Sequence, residues 1–380
     1  MINETGMTTE AVTETSVLSR FSHCFCAFLI AAVPCGFATA WSQSAYGPPG
    51  VAAQSKVHPQ VEGQGHSVFA LSDPRGARSP IAPSQTAGRR SASIPQSPQY
   101  TFGNITIPAA LFVQPNAINN DAAVVGFYLD ASYISHGFVW RSGSEETIDY
   151  PGAAQTAFTG INNRGILAGT YQDASYNTHA FTYSLANASW TDLPALPGSW
   201  QPLFGAYGVN AGINDNGEVV GCASGFIGTL SWAWHPDSQS YTYFTSPAAS
   251  EAGTSAQGIN GRQSYVGSMS VVYSNSPFVF LREFGDRYTT ISLPSSLSSA
   301  GVLGPFGIND SDAIVGTFYS ANFATVSGFI RYRNGAFSVV NEPGADQTYL
   351  TGINDFGVLV GDTYNTLTGA SPGFVAYPKH

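Results

Sequence analysis

Charged residues are scarce in this 380-residue chain, because Asp, Glu, Lys and Arg together make up only 10% of it. Average soluble domains contain about a quarter. The scarcity disfavours long surface helices and suits short strands joined by tight turns. From residue 99 onward there are nineteen acidic and eight basic residues, and Lys379 is the only lysine there. Without a basic surface, the chain is not expected to bind nucleic acid.

Cysteine is equally rare. Cys24, Cys26 and Cys35 lie in one apolar segment near the N-terminus, and Cys222 is the only cysteine after it. If that segment is removed, no intramolecular disulfide can form, and the fold must be stabilised by packing. Cys222 lies in a strand-like pattern, which favours a small buried hydrophobic residue over a reactive thiol.

No apolar run reaches the ~20 residues that a membrane-spanning helix needs. Arg20 precedes an apolar run over residues 24–40, which ends in the small-x-small sequence Ala38-Thr39-Ala40. This pattern predicts a signal peptide over residues 1–40, cleaved after Ala40, and a secreted or periplasmic protein with no stable membrane span. An uncleaved anchor is the alternative. The long, partly acidic N-terminal region leaves Met7 open as the translation start.

Residues 41–98 differ in composition from the rest of the chain. They are rich in Pro, Ser, Gln and Gly, and they show no sustained apolar period. Such a segment cannot bury enough apolar surface to offset the entropy lost on ordering. We therefore expect a disordered linker here.

The remaining residues, 99–380, are built from a repeat. An Ile-Asn pair followed by a turn and a Val/Ala-Gly pair recurs six times, with spacings of 43, 52, 46, 49 and 45 residues between the anchor asparagines. These spacings are typical of four-stranded propeller blades. The anchors are Asn119, Asn162, Asn214, Asn260, Asn309 and Asn354. An asparagine that recurs at a turn is expected to hold that turn.

Each repeat is predicted to contain four strands. The first ends at Ile-Asn, the second carries the glycine of the Val/Ala-Gly pair, and the third is centred on an aromatic residue that packs between neighbouring repeats. The predicted aromatics are Phe138, Phe181, Trp232, Phe278, Phe329 and Phe374.

The chain therefore predicts an all-β, six-bladed β-propeller. The last repeat stops before a fourth strand, so residues 99–107 are expected to supply it by pairing near residues 373–377 and to close the ring. An open solenoid is the alternative.

The repeats resemble the bacterial extracellular HAF repeats. The resemblance rests on Gly-Ile-Asn-Asp-x-Gly-x-x-Val-Gly followed by His-Gly/Ala-Phe, which appears here as His136-Gly137-Phe138 and His179-Ala180-Phe181. The later repeats lack this histidine, which indicates that the fold does not require it. The resemblance covers all six repeats. It implies secretion and a propeller, and it implies no activity that could be transferred to residues of this chain.

Signatures of cofactor and metal chemistry are not apparent. The sequence has no His-Glu-x-x-His, no phosphate-binding glycine-rich loop with lysine and no Asp-x-Asp-x-Asp-Gly calcium loop, so no cofactor or metal is expected. His136 and His179 lie at equivalent places in neighbouring repeats. Equivalent points on adjacent blades are too far apart to share one zinc ion, so hydrogen bonding is the expected role.

Two loops between the second and third strands share one sequence pattern. Repeat 1 has Tyr128-Leu-Asp130-Ala-Ser132-Tyr133 and repeat 2 has Tyr171-Gln-Asp173-Ala-Ser175-Tyr176. A recent duplication explains the match, and so does a recognition surface for carbohydrate or peptide. The predicted ligand-binding residues are Tyr128, Asp130, Tyr133, Tyr171, Asp173 and Tyr176.

The favoured function is that of a secreted, monomeric, noncatalytic binding or interaction propeller. The alternative is an extracellular polysaccharide hydrolase or lyase that uses loop carboxylates such as Asp130 and Asp173 as acid and base.

Overall fold

A computed structural model describes residues 99–198, 200–203, 212–225, 228–249, 253–269, 278–294, 297, 301–320 and 325–379. The predicted signal peptide over residues 1–40 and the predicted linker over residues 41–98 lie outside these ranges. Within them, no helix is both long and apolar enough to cross a membrane.

The described residues form twenty-five β-strands. The first strand, β1, is Tyr100–Ile105. Unit 1 contains β2 (Phe112–Ile118), β3 (Val124–Leu129), β4 (Ser135–Arg141) and β5 (Ser144–Thr147). Unit 2 contains β6 (Gln155–Ile161), β7 (Ile166–Gln172), β8 (Thr178–Ser184) and β9 (Ser189–Asp192). Unit 3 contains β10 (Gln201–Pro202), β11 (Gly212–Ile213), β12 (Val219–Gly225), β13 (Gly228–His235) and β14 (Ser240–Phe244).

The second half of the chain follows the same plan. Unit 4 contains β15 (Thr254–Ile259), β16 (Tyr265–Met269), β17 (Phe278–Glu283) and β18 (Arg287–Ile291). Unit 5 contains β19 (Gly301–Ile308), β20 (Ile314–Tyr319), β21 (Val326–Arg331) and β22 (Phe337–Val340). Unit 6 contains β23 (Gln347–Ile353), β24 (Leu359–Tyr364) and β25 (Gly373–Pro378).

The units form a propeller of four-stranded antiparallel blades, as the sequence predicts. Units 1, 2 and 4 are separate four-stranded sheets in which consecutive strands are neighbours. In unit 3 the described part of the innermost strand consists of β10 and β11, which both pair with β12. Units 5 and 6 form one eight-stranded sheet, which a single parallel pair, Val326 with Gln347, holds together. The described residues thus form five hydrogen-bonded sheets, not the six separate ones expected.

The strand β1 supplies the fourth strand of unit 6. It pairs antiparallel with β25 in continuous register, from Tyr100 opposite Pro378 to Ile105 opposite Gly373. Ile105 is fully buried, and the rings of Phe102 and Phe374 lie 5.3 Å apart in an edge-to-face arrangement. The expected pairing between residues 99–107 and the C-terminal strand is therefore confirmed, and it joins the two ends of the described chain.

The six anchor asparagines hold their turns and also join neighbouring units. In unit 6, Asn354 Oδ1 accepts hydrogen bonds from the backbone N–H groups of Phe356 and Val358 at 3.1 and 3.0 Å. Its Nδ2 donates to the backbone oxygen of Asn119 at 3.0 Å. The same donation runs from each anchor to the next: Asn119 to Asn162, Asn162 to Asn214, Asn214 to Asn260, Asn260 to Asn309 and Asn309 to Asn354. The six donations form a closed circuit around the axis.

The glycine before Ile-Asn allows adjacent innermost strands to approach closely. A Cβ on Gly352 would lie 3.0 Å from the backbone oxygen of Asn116 and 3.1 Å from Cα of Ala117 in unit 1. At Gly307, a Cβ would lie 3.2 Å from Cα of Gly352. The repeated Gly-Ile-Asn therefore combines a close backbone approach, a buried isoleucine and a turn-holding asparagine.

The glycine of the Val/Ala-Gly pair lies beneath the aromatic residue of the third strand. A Cβ on Gly361 would overlap the carbonyl oxygen of Tyr349 and would lie 2.9 Å from the ring of Phe374. In unit 4 the equivalent glycine is Gly267, and the residue opposite it is Phe280, while Phe278 lies opposite Met269. The sequence-based choice of Phe278 is therefore wrong by two residues. The error arose because Phe278 and Phe280 alternate with Val279, so both fit the same strand pattern.

Candidate functional site

The loops after β3 and β7 have the same internal structure. Asp130 Oδ1 accepts hydrogen bonds from the backbone N–H groups of Ser132 and Ile134, both at 2.8 Å. Asp173 Oδ1 accepts them from Ser175 and Asn177 at 2.8 and 2.9 Å. Each aspartate therefore caps its own turn, which is a common role for this side chain. The sequence match between the two loops extends to their geometry.

These turns hold two tyrosines in a left-handed backbone conformation. Tyr133 has a φ of 62° and Tyr176 a φ of 61°. Both side chains are largely exposed, at 59% and 63%. For a bulky residue this conformation costs about 1–2 kcal/mol. Neither tyrosine recovers that cost by burial, so both loops keep an unfavourable backbone conformation under an exposed aromatic side chain.

A histidine packs beside each loop. Tyr128 and His136 lie opposite each other on β3 and β4, with ring centroids 5.1 Å apart, and Tyr171 and His179 repeat the arrangement on β7 and β8 at 4.8 Å. His179 Nε2 lies 3.1 Å from Asp173 Oδ2. The two histidines therefore support the loops by stacking and hydrogen bonding.

The partners of His136 lie in its own unit. Its Nδ1 lies 2.7 Å from Asp149 Oδ2, and its Nε2 lies 3.7 Å from Asp130 Oδ2. Across the described ranges, no group of three or more His, Cys, Asp or Glu side chains is placed to bind a metal ion.

The loop carboxylates are poorly suited to donate a proton. The hydrogen bond from the backbone of Ile134, followed by that from Ser132, lowers the pKa of Asp130. The hydrogen bond from His179, followed by those from Asn177, lowers the pKa of Asp173 to about 2. A general acid in a glycosidase needs a raised pKa. The lowered pKa values therefore disfavour Asp130 and Asp173 as the general acid of a hydrolase.

Tyr150 joins the two units and was missed in the sequence analysis. Its ring stacks on that of Tyr171, with centroids 3.7 Å apart and planes 10° apart. Its hydroxyl donates a hydrogen bond to Asp192 Oδ2 at 3.0 Å. Burial raises the pKa of this tyrosine. Tyr150 precedes the turn Pro151-Gly152 that leads into unit 2, and this turn was the available signal that the residue lies on the same face as the two loops.

We call the surface formed by these two loops and Tyr150 the tyrosine surface. It consists of Tyr128, Asp130, Tyr133, Tyr150, Tyr171, Asp173 and Tyr176. Consecutive strands in each unit are antiparallel, so the β3–β4 and β7–β8 loops emerge on one face, and the tight turns after the anchor asparagines lie on the other.

Polar groups on the tight-turn face are used for joining units. The backbone N–H of Asn163 donates to Asp215 Oδ1 at 2.8 Å, and that of Asp355 donates to Asn120 Oδ1 at 3.0 Å. Asn120 Nδ2 in turn donates to Asp355 Oδ2 at 2.8 Å. The amide and carboxylate side chains of this face therefore stabilise the ring, which agrees with the structural role expected for the tight turns.

Two small cavities lie along the axis of the ring. Each has a volume of about 70 Å³ and is lined by the innermost strands of all six units. Gln257 lines the first cavity, and its buried Oε1 has no hydrogen-bond partner among the described residues. Pockets for drug-sized ligands are about 300–1,000 Å³. The cavities can therefore hold water and have no room for a sugar or peptide.

Two constellations outside the tyrosine surface resemble catalytic motifs. Gly369-Ala370-Ser371-Pro372-Gly373 matches the Gly-x-Ser-x-Gly pattern, which the sequence analysis missed. That pattern acts at a sharp strand-to-helix turn. Here it leads into strand β25, and Ser371 Oγ donates to the backbone oxygen of Thr363 at 3.0 Å. The structural context required for a nucleophile is therefore missing at this serine.

The second constellation is a series of a carboxylate, a histidine and a hydroxyl. Glu218 Oε1 lies 2.9 Å from His235 Nδ1, and His235 Nε2 lies 2.9 Å from Thr242 Oγ1. Glu218 also accepts hydrogen bonds from the anchor Asn214 and from Gln263 of unit 4, at 2.7 and 2.8 Å. The carboxylate thus links units 3 and 4, and we assign it a structural role.

Comparison with known proteins does not identify a family. No family model matches the chain, and no curated protein matches it. TolB from Acinetobacter baumannii is similar in structure, with a TM-score of 0.46 and 9% sequence identity over 69% of this chain. The match spans 65% of the length of TolB. An acylaminoacyl peptidase in complex with Z-Gly-Gly-Phe-chloromethyl ketone is similar with a TM-score of 0.42 and 9% identity, over 70% of this chain and 51% of the peptidase.

Proposed function

We propose that this protein is a secreted or periplasmic, noncatalytic binding propeller that recognises carbohydrate or peptide through the tyrosine surface. The observation that carries the proposal is the pair of exposed tyrosines, Tyr133 and Tyr176, which the same capped turn holds at positive φ in two adjacent units. Strained backbone conformations cluster at active sites and ligand-binding sites. Export is inferred from the N-terminal sequence, and the protein is proposed to act as a monomer.

We further propose that the ring has six blades. The eight-stranded sheet counts as two blades in this proposal, because only one parallel residue pair joins its halves. The circuit of six anchor asparagines supports the same count, since each anchor donates to the next unit and the last donates to the first. A rigid ring presents loops from neighbouring blades at a fixed spacing, as binding surfaces built on scaffolds require.

The proposal is tested by probing glycan and peptide arrays with the mature protein. We expect binding to at least one class of probe, and we expect the Tyr133→Ala, Tyr176→Ala double variant to lose it. Tyr243→Ala is the matched control, because Tyr243 is also exposed, at 38%, but lies on the outer strand of unit 3. Absence of binding to both arrays, or equal loss in the control variant, would contradict the proposal.

The hydrolase or lyase alternative is tested with the same protein. Polysaccharides are incubated with it, and new reducing ends or unsaturated ends are measured. We expect none, because the pKa values of Asp130 and Asp173 are lowered and each carboxylate is engaged in its turn. Release of product that stops in an Asp173→Asn variant would favour the enzyme instead.

A further inference from the structure

The two exposed tyrosines lie at equivalent positions in adjacent units. Tyr133 and Tyr176 share the loop sequence, the backbone conformation, the capping aspartate and the stacked Tyr–His pair beneath the loop. A surface that presents the same side chain twice is suited to a ligand that presents the same group twice. Unit 1 packs against unit 2 through β3, β4 and β6, and this packing sets the distance between the two loops.

The charge of this surface limits the class of ligand. The loops and turns of units 1 and 2 on this face carry Asp130, Asp149, Asp173 and Asp192, and the only arginines in these two units are Arg141 and Arg164. Arg141 ends strand β4 beside the outer hairpin, and Arg164 lies in a tight turn of the opposite face. Anionic polymers would therefore be repelled, whereas a neutral polymer would not.

The form of the surface favours a sugar chain over a peptide. Peptide recognition commonly uses a free strand edge, a groove for an apolar helix or an aromatic groove for proline. The tyrosine surface is formed by loop residues and strand ends, and its aromatic rings are surrounded by carboxylate and hydroxyl groups. An aromatic ring can stack on the apolar face of a pyranose while neighbouring polar groups bind its hydroxyls.

We propose that Tyr133 and Tyr176 are two subsites for separate segments of one unbranched, neutral polysaccharide. This inference rests on the proposed function and names its ligand class. Each tyrosine ring stacks on one sugar ring, and the chain between them crosses from unit 1 to unit 2. Affinity therefore depends on chain length, because a short oligosaccharide reaches one subsite and a long one reaches both.

The test uses affinity electrophoresis and calorimetry with neutral β-glucans, α-glucans and N-acetylglucosamine polymers, together with oligosaccharides of one to eight units from each. We expect one of these polymers to retard the protein and its affinity to rise at least about tenfold between the shortest and the longest oligosaccharides bound. Tyr133→Ala and Tyr176→Ala should each remove that gain and leave the affinity for short oligosaccharides within a factor of about two. Tyr133→Phe should retain the gain, since stacking needs only the ring.

Two results would overturn the inference. One is binding to a polysaccharide with an affinity that does not rise with chain length. Binding that neither Tyr133→Ala nor Tyr176→Ala weakens, while Tyr243→Ala behaves as the wild type, counts in the same way. The other is no retardation by any of the neutral polysaccharides. In that second case, peptide-array binding that requires the two tyrosines would leave the proposed function standing, and its absence would remove both. Melting temperatures of all variants establish that the compared proteins are folded.

Discussion

Asn354 and Asn119 are separated by 235 residues in sequence, yet Asn354 Nδ2 donates a hydrogen bond to the backbone oxygen of Asn119 at 3.0 Å. The same bond joins each of the five remaining neighbouring pairs of anchors, so this one closes the circuit between the last unit and the first. Each anchor side chain uses its oxygen for the turn of its own unit and its nitrogen for the next unit. The two roles can be separated by substitution.

Asn354→Asp keeps the two acceptor contacts within the turn and removes the donor to unit 1, whereas Asn354→Ala removes all three hydrogen bonds. We expect Asn354→Ala to lower the free energy of unfolding by about 3 kcal/mol, since each bond contributes about 1 kcal/mol and buried partners lose theirs. Asn354→Asp should also lower it at neutral pH, because a buried carboxylate oxygen would then face the backbone oxygen of Asn119 where Nδ2 now donates. Urea unfolding measures both. Asn216→Ala, in the exposed turn of unit 3, is the control and should change stability little.

Equal effects of Asn354→Asp and Asn216→Ala would show that the link between units contributes nothing to stability.

The pairing of β1 with β25 predicts that the stability of the fold depends strongly on the first strand. A chain that begins at Thr106 leaves the edge of β25 open and uncovers Phe374, whereas a chain that begins at Gln99 keeps both covered. We expect the shorter chain to melt at a clearly lower temperature and to aggregate more readily. Ile105→Ala, in the chain that keeps β1, should cost about 2–5 kcal/mol because Ile105 is fully buried. Equal melting temperatures of the two chains would contradict the closed ring.

Asp362 predicts an unusual dependence of stability on pH. Burial in β24 raises its pKa well above the ordinary value of 3.8. The folded protein therefore keeps a proton that the unfolded chain releases above about pH 4, so stability falls as pH rises until the folded-state pKa is reached. In that window this carboxyl lowers the free energy of unfolding by about 1.4 kcal/mol for each pH unit.

The substitution Asp362→Asn removes this dependence. The free energies of unfolding of the wild type and the variant are compared between pH 3.5 and pH 8. We expect the variant to become the more stable of the two as pH rises, with the difference smallest at the acidic end. A difference that stays constant across the range would show that Asp362 does not hold a proton in the folded protein.

Replacing a tyrosine that has a left-handed backbone conformation should raise stability and weaken ligand binding. Tyr176→Gly removes the cost of a bulky residue at positive φ, so the free energy of unfolding should rise by up to about 1 kcal/mol. The same substitution should abolish the ligand contact proposed for this ring. Ala122→Gly is a control for the glycine effect alone, because Ala122 also has positive φ, 58°, but lies in a tight turn of the opposite face. Lower stability in Tyr176→Gly would contradict the view that strain is retained there for binding.

The architecture was predictable from the sequence because it rests on short-range rules repeated six times. Asn-Asp-x-Gly and its variants specify the tight turns, and β1 supplies the fourth strand of the last unit. The role of the anchor nitrogens was not predictable. The bond from Asn354 to Asn119 depends on how closely adjacent units approach, and that distance follows from glycines such as Gly352 whose purpose becomes visible only in three dimensions.

At the candidate site, the sequence showed that the two loops are alike but not what their carboxylates contact. The structure shows that Asp130 and Asp173 each cap their own turn, and their predicted role in ligand binding stays a prediction. Tyr150 was missed because it belongs to neither repeated loop, and its stacking on Tyr171 depends on the packing of unit 1 against unit 2. Local sequence patterns identify the turns, whereas the contacts of side chains such as Tyr150 depend on how neighbouring units pack.

The pairing of β1 with β25 also sets an order of events during biosynthesis. A ribosome makes β1 before any of the six units and makes β25 after nearly all of them, so the first strand of the ring is the last to find its partner. Until then, its strand edge and the ring of Phe102 stay open to wrong partners. Pairings between such distant residues are intrinsically slow to form, and incomplete chains that expose strand edges aggregate. We therefore expect purified chains truncated before residue 373 to aggregate and to be cut readily by protease, whereas chains that include β25 should be resistant.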